Sequence, residues 1–156
     1  FEQSVADEAT FTLRNLNTFT EKRQITARNW LSRIGLGDRL EDHPQKLSYG
    51  QKRRLNLVST MLHNPKLLLI DEFLIGQDMA NAHLWMGFFK KLTQLGWTIL
   101  LVIHHPELTL RYCDRLIFLE GGKVLINEKP ETAFMDLNKL NYHAFLPEHQ
   151  PESTHA

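Results

Sequence analysis

The chain has 156 residues, one domain's worth. Its 42% apolar and 23% charged side chains exclude a wholly disordered segment and leave apolar mass for a core. Eighteen Lys and Arg against eighteen Asp and Glu leave no net charge, which argues against a general attraction to nucleic acid or anionic membrane. No apolar run nears the roughly 20 residues that span a bilayer, and the single cysteine, Cys113, excludes an internal disulfide and fits a reducing compartment. The opening Phe-Glu-Gln-Ser has neither an initiator Met nor a signal-like apolar segment, so a start inside a longer sequence is expected.

Ser4-Val5-Ala6-Asp7 has the form of a capping box, and Val5, Ala9, Leu13 and Leu16 follow at helical spacing. A second helix is predicted over residues 21–34, with an apolar stripe of Ile25, Trp30, Leu31 and Ile34, and Gly35 and Gly37 as terminators. Ser48 and Gln51 fit another capping box, opening a helix to about His63 that Asn64-Pro65 stops. The first third therefore reads as all helix.

After Pro65 the period changes. Leu67–Ile70 is a short continuous apolar run ending in Asp71-Glu72, the pattern of a strand buried on both faces. A helix over residues 78–95 presents Ala82, Trp85, Met86, Phe89 and Leu92 on one side. Residues 98–103 read as a second buried strand, and His104-His105-Pro106 turns into a short helix through Tyr112. Residues 115–119 and 123–127 flank Gly121-Gly122, which suits a primed hairpin turn. Residues 130–134 and 136–142 read as two short helices, and from Pro147 onward the chain is polar and expected to be loose. Strand–helix–strand order implies a parallel α/β layer behind a helical piece, with units at 1–66 and 67–146 and a tail at 147–156.

Two segments carry chemistry. Asp71 and Glu72 stand where a buried parallel strand ends, the edge at which open α/β sheets collect ligands. Adjacent carboxylates at a strand end point different ways, so one can hold Mg²⁺ while the other orients or deprotonates water. Taken alone, the pair more often describes a strand ending in solvated acids. Leu47-Ser48-Tyr49-Gly50-Gln51 sets a Ser cap, a glycine and free first-turn N–H groups at a helix start, an anion site suited to phosphate. Five such residues alone also describe an ordinary capped helix. Order and distance decide: signature-like helix, Pro stop, Asp-Glu strand, acidic turn at Asp78, then a strand ending in His104.

In that order the chain resembles the ATP-binding-cassette (ABC) ATPases. Leu-Ser-Tyr-Gly-Gln is similar to the family signature Leu-Ser-Gly-Gly-Gln, continued by Lys52-Arg53-Arg54. Leu67–Asp71 resembles the Walker B strand, Glu72 the catalytic glutamate, Phe73–Asp78 the D-loop and His104 the switch histidine. Glu131-Thr132-Ala133-Phe134 resembles the usual tail after the last hairpin. The opening Ser-Val-Ala-Asp-Glu-Ala-Thr-Phe resembles the energy-coupling-factor and cobalt-type branch, which imports vitamins or transition-metal ions through separate membrane subunits.

The resemblance implies a partial P-loop NTPase fold and an ATPase that energises an importer, with ATP and Mg²⁺ as its nucleotide and metal. It implies Asp71 on Mg²⁺, Glu72 polarising the attacking water and His104 at the γ-phosphate. Ser48, Tyr49, Gly50 and Gln51 would close on ATP held by a second ATPase subunit. A membrane-embedded transporter subunit is the other implied partner, no nucleic acid is expected, and the place is the cytoplasmic face of the membrane. The helical segment through about Asp42 would help face the membrane partner.

Departures from the pattern are specific. The D-loop, usually Pro-Thr/Ser-Ala-Gly-Leu-Asp, keeps only Gly76 and Asp78; His105 stands where an Asp is common, and Tyr49 where a glycine is. No Gly-x4-Gly-Lys-Ser/Thr loop occurs: the single Gly-Lys, Gly122-Lys123, precedes Val124 and has Ile117 where the first glycine belongs. In the family that loop and the Q-loop precede the helical subdomain, so the sequence reads as the C-terminal part of a cassette, inactive by itself. Other readings are a non-enzymatic remnant, or a non-transport ABC ATPase of DNA repair or translation, whose long insertions are absent here. His43, His63, His83, His143, His149 and His155 read as surface or loop residues, Cys113 as packing, and Lys52–Arg54 as a solvated or interdomain face.

Overall fold

The computed structural model describes residues 2–148. It divides into two units between Lys66 and Leu67. The first unit is three helices, α1 (Val5–Asn15), α2 (Glu21–Arg33) and α3 (Tyr49–Met61), with single 3₁₀ turns at Gly37–Arg39 and Pro44–Lys46. Ser4 caps α1, its Oγ accepting from the Asp7 N–H at 3.1 Å and its O–H donating to the Asp7 carboxylate at 2.6 Å. That hydrogen bond, helped by Arg14, holds the Asp7 carboxyl below its ordinary range. Thr20 caps α2 in the same way, and Ser48 and Gln51 form the expected reciprocal capping box on α3.

Val5, Ala6, Ala9, Thr10 and Leu13 face inward from α1. Thr10 is tolerated there because its hydroxyl returns to the Ala6 carbonyl at 3.2 Å. Two expected core residues point out. Leu16 is 60% exposed because it is already the C-cap of α1. Ile25 is 56% exposed because the buried stripe of α2 runs Ala27, Leu31, Ile34 at i, i+4, i+7, which puts Ile25 on the far side. Arg54, expected on a solvated face, instead donates from Nη1 to the Ile34 carbonyl at 2.8 Å and ties the end of α2 to α3. It satisfies a helix-end carbonyl that has no partner within α2.

In the second unit β1 (Leu67–Asp71) and β2 (Thr98–Val102) pair in parallel, Leu67 opposite Thr98 and Asp71 opposite Val102, with α4 (Met79–Gln94) as the crossover. Ala82, Met86, Phe89 and Leu92 are the buried stripe of α4, and Trp85 is half-buried. These strands are apolar on both sides, as their sequence implies, and one of the two faces is open. Leu68 and Ile70 are buried, whereas Leu67, Leu69, Leu100 and Val102, on the opposite side, are about half exposed or more. The pleat sends alternate side chains to opposite faces, and among the described residues only one face of this pair is covered.

After α5 (Pro106–Tyr112) come β3 (Leu116–Glu120) and β4 (Lys123–Glu128), an antiparallel hairpin with a register shift between Phe118 and Leu119. Gly121 and Gly122 both have positive φ, 54° and 75°, as a primed turn requires. The two short helices expected after it are one, α6 (Pro130–Lys139). No breaker interrupts it at Met135, and Ala133, Phe134 and Leu137 share one buried stripe with Ile126 of β4. The chain then turns at Asn141 (φ 65°) into a 3₁₀ turn at His143–Phe145. The loose tail expected from residue 147 is corrected at its start. Pro147 is buried, and the Glu148 N–H donates to the Glu107 carboxylate at 3.0 Å. The rest of that expectation, with His149 and His155, lies outside the described residues.

Candidate functional site

The parallel register ends β1 and β2 together, so Asp71-Glu72 and His104 leave the sheet at one edge. His104 Nε2 stands 3.3 Å from Glu72 Oε1, with both side chains open to solvent (63% and 45% exposed). Asp71 is exposed at the last position of β1, and no hydrogen bond or ion pair engages its carboxylate among the described residues. It is therefore a free oxygen donor at a strand end, the chemistry a hard cation takes. Among the described residues no three His, Cys, Asp or Glu side chains converge to hold a metal by themselves. Mg²⁺ usually binds through one or two carboxylates together with substrate phosphates and water, and Asp71 fits that mode.

Glu72 sits in the left-handed region, φ 49°. For a residue with a Cβ this conformation costs roughly 1–2 kcal/mol, and such strain gathers at functional sites. The loop then folds through a tight turn, Ile75 N–H donating to the Glu72 carbonyl at 3.1 Å and Gln77 N–H to Leu74 at 3.1 Å. Gly76, at φ 75°, supplies the second left-handed residue. Asp78 caps α4, accepting from the Asn81 N–H at 2.8 Å and its Nδ2 at 2.6 Å, and these bonds hold its carboxyl below the ordinary range. Glu72→Gly is expected to raise the stability of the chain by about 1 kcal/mol while removing the carboxylate, as left-handed strain released at a functional position would. Denaturant midpoints of the two proteins check it; a lower midpoint for Glu72→Gly would mean that φ 49° carries no strain.

Ser48, Tyr49, Gly50 and Gln51 belong to the first unit, at the N-terminus of α3. Gln51 and Ser48 are engaged in the capping box, so the Ser48 and Gln51 N–H groups are already bonded, at 2.9 and 3.3 Å. Tyr49 is 71% exposed and carries the Arg53 guanidinium on its ring, 4.6 Å from the centroid. His105 is at the N-cap of α5, yet its side chain makes no capping bond there. An Asp at that position would have a capping oxygen, so the departure from the family pattern leaves α5 uncapped.

Sequence reading missed several contacts. His83 is not a free surface residue: its Nδ1 lies 3.0 Å from the Tyr112 hydroxyl, linking α4 to α5. His63 is half-buried, with Nε2 enclosed. Cys113 is half-buried beside Asp114, and burial pushes its thiol pKa up, as expected of a packing cysteine. His105, Glu107, His143 and Glu148 line an open cleft of about 540 Å³ next to His104. None of these pairs has a local spacing signal, because each joins residues brought together by tertiary folding.

The ABC transporter family model matches residues 1–74. The Energy-coupling factor transporter ATP-binding protein EcfA2 of Streptococcus pyogenes (serotype M5) is 34% identical over 141 residues, covering 90% of this chain and 50% of that protein. A protein of Methanosarcina mazei named Putative ABC transporter ATP-binding protein is 32% identical over 147 residues, covering 94% of this chain and 25% of its own length. Among solved structures, cbiO1 from Clostridium perfringens, described as part of the ABC transporter complex cbiONQ, superposes with a TM-score of 0.71 at 26% identity, covering 91% of this chain and 58% of that one. The chain thus spans half or less of the length of these curated relatives. Its fold is that of a partial P-loop NTPase, and no helix among the described residues is long and apolar enough to cross a membrane. These matches make the chain a relative of the ABC transporter ATP-binding proteins, among them the energy-coupling factor protein EcfA2 and the cbiO1 subunit, over about 90% of its length.

Proposed function

We propose that these residues supply the signature, Walker B, D-loop and switch parts of an ATPase that energises an importer. The observation that carries the reading is the 3.3 Å approach of Glu72 to His104 at the strand edge, with Asp71 unengaged beside it. Asp71 would hold Mg²⁺, which when bound neutralises charge on the phosphates. Glu72 would accept the proton of the attacking water, and His104, whose Nε2 approaches that carboxylate, would contact the γ-phosphate. Ser48, Gly50 and the N-terminus of α3 would close on ATP bound by a second ATPase subunit. A membrane-embedded subunit would be the other partner, with the work done at the cytoplasmic face of the membrane.

These 156 residues contain no phosphate-gripping Gly-Lys loop. Phosphoryl transfer rests on positioning and charge neutralisation, much of which that loop provides. The chain alone is therefore read as inactive. The test is ATP turnover by a cassette completed with the phosphate-loop segment of the Streptococcus pyogenes relative, using copies that carry different single substitutions. Turnover recovered on mixing two inactive copies supports the reading.

A further inference from the structure

We propose that Phe73, Trp85 and Phe89 form an aromatic clamp that positions the Glu72 carboxylate against His104. Trp85 and Phe89 are then positioning residues for the pair, although neither belongs to any motif. The proposal rests on the reading of Glu72 and His104 as a working pair. Its starting point is that Glu72 keeps φ 49° without being glycine. A residue stays in that region only where its surroundings over-determine the backbone.

The restraint is visible one residue on. Phe73 and Leu74 are buried, 7% and 4% exposed, while Glu72, Ile75 and Gly76 on either side are exposed, and Phe73 is the one of the two that makes ring contacts. Its ring meets Trp85 edge-on, centroids 4.8 Å apart at 79°, and Phe89 edge-on at 5.7 Å and 71°. Trp85 and Phe89 are four residues apart on α4, so they present one face to Phe73 and lie 6.1 Å from each other. Edge-to-face packing fixes the ring's direction as well as its depth. Adjacent Cα atoms are a fixed ~3.8 Å apart across a trans peptide, so holding Phe73 restricts the ψ of Glu72 and the aim of its side chain. The loop's other end is fixed separately, by the Asp78 cap on α4.

The experiment is NMR of the histidine ring nitrogens in the full chain, without nucleotide. Glu72→Gln defines how the His104 ring signals move when the carboxylate contact is weakened. Trp85→Leu and Phe73→Leu are expected to move them in the same direction, Trp85→Phe to restore wild-type positions, and Met86→Leu, a buried change on the same helix, to leave them in place. If Trp85→Leu fails to fold, Phe73→Leu, which keeps an apolar side chain in the pocket, decides. The clamp is overturned if a folded Trp85→Leu or Phe73→Leu chain keeps wild-type His104 signals. It is equally overturned if Met86→Leu shifts them as far. No ATP is present, so the result is separate from the proposed function: loss of turnover dependence on Glu72 with these shifts intact would sink that reading and leave the clamp standing.

Discussion

Glu72→Gln, in a cassette completed with a phosphate-loop segment, is expected to slow ATP hydrolysis by roughly 10²–10⁴-fold, the range for losing a general base. ATP binding should survive. Gln has nearly the same shape and can keep a hydrogen bond to His104, but its amide cannot take a proton from water. Asp71→Asn should behave differently. A neutral amide is a poor ligand for a hard cation, so Mg²⁺-dependent binding weakens before any rate is measured. The contrast matters because the two carboxylates are neighbours in sequence, yet Asp71 ends the strand in extended backbone while Glu72 turns off it at φ 49°. Single-turnover hydrolysis alongside equilibrium nucleotide binding separates the two outcomes. Normal hydrolysis by Glu72→Gln would reverse the assignment within the pair.

Leu13→Ala is expected to destabilise the helical unit by about 2–5 kcal/mol, the cost of a large-to-small change at a fully buried site. Leu13 is 0% exposed and lies on α1, which packs against both α2 and α3. A unit this small holds only about 3–5 kcal/mol from a single core, so the substitution removes most of its stability. Hydrogen exchange of the α1, α2 and α3 amides in the intact chain should lose protection by a factor matching that energy. Leu16→Ala, at the exposed C-cap, should change little. Equal losses at the two positions would mean that the buried face of α1 has been misread.

The element order and the site's strand edge were legible because their signals are local. Ser48 with Gln51 announces a helix start, Asn64-Pro65 a stop, and Leu67–Ile70 a strand too short to be a helix. Parallel pairing then follows from the crossover helix, and it brings Glu72 to His104 from 32 residues away. What stayed hidden depends on neighbours that periodicity does not name. Ile25 was misplaced because an apolar residue near a stripe is not thereby on it. Arg54 reads as a surface cation until the Ile34 carbonyl is seen beneath it. The apolar runs of β1 and β2 mark strands with two apolar faces, and the open face expected for such strands without their covering lobe is the one that carries Leu67, Leu69, Leu100 and Val102. The left-handed Glu72 had no signal at all, since glycine is the residue that marks that region.

On the proposed reading, Ser48 and Glu72 serve ATP sites formed between two copies, each residue acting at a different nucleotide. In the completed cassette, Ser48→Arg should abolish turnover by filling the phosphate position, and Glu72→Gln should abolish it chemically. Each altered protein alone then has two dead sites. Mixing them assembles dimers in which one site takes its Glu72 from the first copy and its Ser48 from the second, both intact. The measurement is ATP turnover of the equimolar mixture. Activity well above that of either protein alone is expected, carried by that one restored site. A mixture as inactive as its components would contradict it, placing Ser48 and Glu72 of one copy at the same nucleotide.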